Sequence, residues 1–124
     1  MLIANSILLG IVALICFLGG INIMLKGAMY FLPKDTPPQL VLDNLVRFLS
    51  GIYLGSGFLF AYASFNVENT GNLVYFLGLI VVFSGLGRLY SRVQAGTAGR
   101  YFDFIMAVEI ALGSAIISIK WLSV

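Results

Sequence analysis

Leu2-Ile3-Ala4-Asn5-Ser6-Ile7-Leu8-Leu9-Gly10-Ile11-Val12-Ala13-Leu14-Ile15-Cys16-Phe17-Leu18-Gly19-Gly20-Ile21-Asn22-Ile23-Met24-Leu25 contains no Lys, Arg, His, Asp or Glu. At about 1.5 Å per residue a helix of this length exceeds the roughly 30 Å of a bilayer's hydrocarbon core. The stretch lacks a basic leading segment and outruns the apolar core of a signal peptide. Ile15 is also too bulky to precede a lipoprotein-type cleavage at Cys16. It therefore reads as a retained membrane span, with Cys16 as a small packing residue.

Three further apolar stretches follow, at about Leu45–Phe65, Leu73–Val93 and Tyr101–Leu122. Thr36 before Pro37 reads as an N-cap with Pro at the first helical position, so the second helix is expected to begin well before its apolar part. The helices are placed at about 2–25, 37–65, 72–93 and 101–122. The fold class is all-α, an integral membrane four-helix bundle, and 1–124 reads as a single transmembrane domain. A short echo, Leu54-Gly55-Ser56-Gly57 against Leu112-Gly113-Ser114-Ala115, fits two similar two-helix halves.

Composition agrees. Of 124 residues, 60% are hydrophobic, seven are Lys or Arg, five are Asp or Glu, one is Cys and none is His. Mean hydropathy is +1.04, more apolar surface than so short a chain can hide from water. One Cys cannot form an internal disulfide. Without His there is no imidazole for metal binding or acid–base work. A net charge of +2 gives no stripe for nucleic acid. No Ser has a plausible base and no two carboxylates converge, so neither catalysis nor a metal or cofactor is expected.

The loops set an orientation. The first, 26–44, carries the apolar run Gly27-Ala28-Met29-Tyr30-Phe31-Leu32, suited to the membrane interface. The second, Asn66 to Asn72, is short and polar, which makes the second and third helices antiparallel neighbours. The side of the first and third loops holds Lys26, Lys34, Arg47, Arg88, Arg92 and Arg100, against Lys120 alone on the other. The positive-inside rule then places loops 26–44 and 94–100 in the cytoplasm and both termini on the outer side.

Ionisable residues within spans are costly, at least ~2.5 kcal/mol each, and normally face other helices and pair. Arg88 lies roughly 7 Å inside the third helix and Glu109 roughly 12 Å inside the fourth, counted from their shared loop. Glu109 is expected to face inward and pair with Arg88, Arg47 or both. Asn22 and Ser84 fall in the same half of the membrane. Asp43 sits four residues before Arg47 and can also neutralise it. One reading is a structural ion pair that fixes helix register. Another is a site where arginine meets an anionic group bidentately. Arg92 and Arg100, beside Arg88 at the third loop, suit contact with anionic lipid head groups.

Small residues mark packing faces. Gly51 and Gly55 form a GxxxG pair, and Ala107, Ala111 and Ala115 repeat every four residues on the side of the fourth helix opposite Glu109. These faces suit helix packing within the chain or self-association into a homo-oligomer.

The segments Arg47-Phe48-Leu49-Ser50-Gly51-Ile52-Tyr53-Leu54-Gly55 and Gly85-Leu86-Gly87-Arg88-Leu89-Tyr90-Ser91, with Glu109 near Gly113, resemble a family of small four-helix bacterial membrane proteins known as a domain of unknown function. The chain is also similar to the AciT-type inner-membrane proteins. That resemblance implies a homotrimer with a part in cell-envelope integrity, and it carries over at Arg47, Arg88 and Glu109. Gly96-Thr97-Ala98-Gly99 departs from the pattern, which has a Pro near the Gly. The expected function is a non-enzymatic inner-membrane protein whose Arg/Glu site binds an anionic lipid or amphiphile. The alternatives are a small proton- or cation-coupled transporter using Glu109, and a purely structural scaffold.

Overall fold

A computed structural model describes residues 2–122. The described residues form four α-helices: α1 (Leu2–Lys26), α2 (Leu40–Phe65), α3 (Leu73–Ala95) and α4 (Arg100–Leu122). A 3-10 turn at Ala28–Phe31 lies between α1 and α2. Each α-helix is long and apolar enough to cross a membrane. Large apolar side chains stand on the surface, such as Ile3 at 77% and Phe58 at 70% exposure. Such groups belong against lipid rather than water, and the protein is read as a membrane protein on these grounds.

The helix boundaries match the sequence reading within two residues, except at the start of α2. The expected cap at Thr36 is not formed, and the helix begins at Leu40. The cause is the Pro37-Pro38 pair. A proline pushes the residue before it out of the α region, so Pro37 cannot open a helix that must pass through Pro38. The first helical carbonyl is that of Gln39, which accepts from the Asp43 N–H at 2.8 Å.

The chain divides into two compact units. One is Gly10–Tyr62, and the other joins the residues up to Leu9 to those from Ala63 onward. The division does not fall between α2 and α3, as two clean halves would require. Polar bonds explain which end-turns belong with α3 and α4. Ser6 Oγ donates to the Ser64 carbonyl and Ser64 Oγ to the Ser6 carbonyl, each at 2.6 Å. Asn5 Nδ2 donates to the Ile116 carbonyl at 3.3 Å. Hydrogen bonds of this kind hold helices together where the hydrophobic effect cannot.

In the Gly10–Tyr62 unit, aromatic and aliphatic side chains seat on glycines. The Phe17 ring lies where a Cβ on Gly57 would come within 3.0 Å of it, and packs edge-on to Phe58 at 5.0 Å. Leu54 occupies the space over Gly20, where a Cβ would approach its Cγ to 2.8 Å.

In the other unit, α3 and α4 form an antiparallel hairpin whose backbones touch. A Cβ on Gly113 would lie 2.7 Å from the Gly78 carbonyl oxygen and 2.7 Å from the Val82 nitrogen. A Cβ on Gly85 would lie 3.1 Å from the Met106 carbonyl oxygen. Gly78 and Gly85, seven residues apart, therefore lie on one face of α3. These glycines fix the hairpin register, and that register positions the charged groups.

Candidate functional site

Side chains on a helix lean toward its N-terminus. In an antiparallel hairpin these leans oppose each other. Arg88 on α3 reaches away from the loop joining the two helices, and Glu109 on α4 reaches toward it. They meet, with Arg88 Nε donating to Glu109 Oε1 at 2.6 Å. The Glu109 side chain is only 8% exposed, the Arg88 side chain 37%. The carboxylate is thus the sealed partner and the guanidinium the accessible one. Glu109 Oε2 is buried and has no hydrogen-bond partner among the described residues.

One turn nearer the loop is a second rung. Arg92 Nε donates to Asp103 Oδ1 at 3.1 Å. Asp103 Oδ2 accepts from Thr97 Oγ1 at 2.7 Å, and Thr97 Oγ1 accepts from the Gly99 N–H at 3.1 Å. The loop closes only with left-handed backbone at Gly96 (φ 97°) and Gly99 (φ 126°), which glycine adopts without penalty. The Gly96 N–H caps α3 by donating to the Arg92 carbonyl at 2.9 Å.

A cleft of about 120 Å³ opens at this end of the hairpin. Its wall includes Arg88, Arg92, Ser91, Gly96, Asp103 and Met106. Both arginines hold their carboxylates through Nε. Their Nη groups make no hydrogen bond among the described residues, so two forks of N–H donors remain for an external acceptor.

The other residues singled out from the sequence are distributed as follows. Arg47 belongs to the Gly10–Tyr62 unit and pairs with Asp43 at 3.2 Å, the within-helix partner anticipated for it. Asp43 also accepts from the Ala28 N–H at 3.0 Å, tying the 3-10 turn to α2. Asn22 is half-buried in the same unit and makes no side-chain hydrogen bond among the described residues. Ser84 is exposed and donates to the Ile80 carbonyl of its own helix at 3.0 Å. Arg100 is exposed at the start of α4 and forms no ion pair among the described residues.

The small residues divide similarly. A Cβ on Gly55 would meet nothing within 4 Å, and one on Gly51 would sit 3.7 Å from Met24 Cε. Ala107 and Ala111 are exposed, Ala115 is half-buried, and Glu109 is buried on another side of α4. The close approaches are instead at Gly20, Gly57, Gly78, Gly85 and Gly113. Asn5, which the sequence reading passed over, is a buried polar group whose Oδ1 has no partner among the described residues. Its signal was available as the first polar residue of a span that carries no charge.

These features define an all-helical protein with four membrane-length helices and a two-rung charge ladder beside one interhelical loop. The chain belongs to the family described as a domain of unknown function, DUF4345, whose model matches residues 4–120. No curated protein and no solved structure matches it. The resemblance to a four-helix family of unknown function is thus borne out as a family assignment.

Proposed function

We propose that the protein is a non-enzymatic inner-membrane protein that binds the head group of an anionic phospholipid in the cleft at the α3–α4 loop. The supporting observation is the pair of Arg88 and Arg92, both in the cleft wall and each anchored through Nε, with no hydrogen bond to its Nη groups among the described residues. An anchored guanidinium loses little further freedom on binding, and its fork matches phosphate geometry. The positive-inside reading places this cleft at the cytoplasmic interface, where anionic head groups are found. Arg100, at the start of α4, adds a positive charge with no ion-pair partner among the described residues. The exposed Ala107 and Ala111 give a face on which copies of the chain pack, and the AciT-type resemblance favours a homotrimer serving envelope integrity.

The test is photocrosslinking in native membranes, with benzoylphenylalanine at Ala98, which lines the cleft, or at the exposed Ala107. Lipid captured at position 98 should be enriched in anionic head groups over that captured at 107. Arg92→Ala should abolish the enrichment. Identical head-group distributions at the two positions would end this reading.

A further inference from the structure

Arg88 serves two sides at once. Its Nε holds Glu109 Oε1, and Arg88 is also part of the cleft wall. Within its unit and among the described residues, Glu109 has little else to balance its charge. Within its unit, Arg88 is the one charged group bonded to it from α3, since Arg92 lies one turn further along and is engaged by Asp103. The part of α1 in this unit, residues 2–9, has no charged side chain, and neither do residues 63–65 of α2. On α4 the nearest charged groups, Asp103 and Arg100, lie toward the loop. Oε2 is sealed and has no hydrogen-bond partner among the described residues.

An anion on the Nη fork of Arg88 draws on the same positive charge that stabilises Glu109. Two negative groups then share one guanidinium, and one of them lies in a medium that penalises charge. We infer that anion binding in the cleft is coupled to uptake of one proton by Glu109. One anion and one proton enter together, so the cluster around Arg88 gains no net charge. The inference rests on the cleft reading above and adds the regulation of that site. The ligand chemistry is a tetrahedral oxyanion, supplied by a phospholipid head group or free in solution.

The full chain in phosphatidylcholine nanodiscs tests this with two probes, dihexanoylphosphatidylglycerol and sodium sulfate. Binding is measured calorimetrically from pH 5 to 8, and proton uptake with an indicator dye in weak buffer. Affinity should rise as pH falls, by at most about tenfold per pH unit, with about one proton taken up per ligand. A response to the lipid probe alone supports coupling to a head group, and a response to both supports coupling to any such oxyanion. Glu109→Gln should bind well at every pH with no proton uptake, whereas Asp103→Asn should change affinity but not the proton count. The wild-type count does not depend on the variants folding. Binding without pH dependence or proton uptake would overturn the coupling while leaving the cleft reading intact. So would uptake that persists in Glu109→Gln or vanishes in Asp103→Asn. Failure to bind either probe would overturn both.

Discussion

Gly113→Ala should loosen the α3–α4 hairpin, whereas Gly55→Ala should not. A Cβ at position 113 would sit 2.7 Å from two backbone atoms of α3 and 2.6 Å from Val82 Cγ2. Ordinary contact begins near 3.4 Å, so the helices must part by 3.4 − 2.7 = 0.7 Å. Backbone atoms cannot turn aside as a side chain can. A gap of 0.5–1 Å forfeits about a quarter to a half of each dispersion contact it opens, and overpacking of this kind costs about 1–3 kcal/mol. Alanine returns about 1 kcal/mol of helix propensity on the scale for water-soluble helices. The net for Gly113→Ala is a loss of up to about 2 kcal/mol. At Gly55 nothing lies within 4 Å, so only the propensity gain of up to about 1 kcal/mol remains. Both variants can be compared by reversible unfolding in mixed micelles, followed by far-ultraviolet circular dichroism. If Gly113→Ala is as stable as Gly55→Ala, the backbone contact does not set the hairpin register.

The ion pair should respond asymmetrically. Arg88→Ala strands a buried carboxylate and should cost about 3 kcal/mol or more in the same assay, while Glu109→Gln leaves a partly exposed guanidinium and should cost about 1 kcal/mol. Equal losses would mean that the burial difference has no energetic weight. Asn5→Leu removes one long hydrogen bond together with a buried oxygen that has no partner among the described residues. It should be neutral or stabilising by up to about 1 kcal/mol, and a loss above that would show that Oδ1 has a partner in the membrane. Asp43→Ala removes the acceptor of the Ala28 N–H. Exchange at that amide should speed up by about tenfold, the equivalent of about one hydrogen bond, and unchanged exchange would show that the 3-10 turn is held by other contacts.

The spans were legible because lipid tolerates little else: an uncharged run such as Leu2 to Leu25 has one reading. That Glu109 pairs with an arginine was legible because the cost of buried charge demands a partner; the choice of Arg88 over Arg47 was not, since Asp43 takes Arg47 on its own helix. The start of α2 was misjudged because Thr36-Pro37 has the form of a cap, while the constraint comes from the next residue, Pro38. Which glycines pack was not legible. Gly51 and Gly55 carry the familiar spacing, yet Gly55 faces open space while Gly78 and Gly85 touch the backbone of α4. Spacing selects a face of a helix, and only the partner helix decides whether that face is used. The cleft was half legible: its arginines stood out by charge, but their anchoring through Nε depends on rotamers that no sequence pattern specifies.

Native mass spectrometry of the protein released from nanodiscs of mixed phosphatidylethanolamine and phosphatidylglycerol tests the cleft most directly. Phosphatidylglycerol should be retained in proportion to subunit number, lost in Arg92→Ala and kept in Lys120→Ala. Lipid-free particles, or retention that Arg92→Ala leaves unchanged, would contradict the cleft reading.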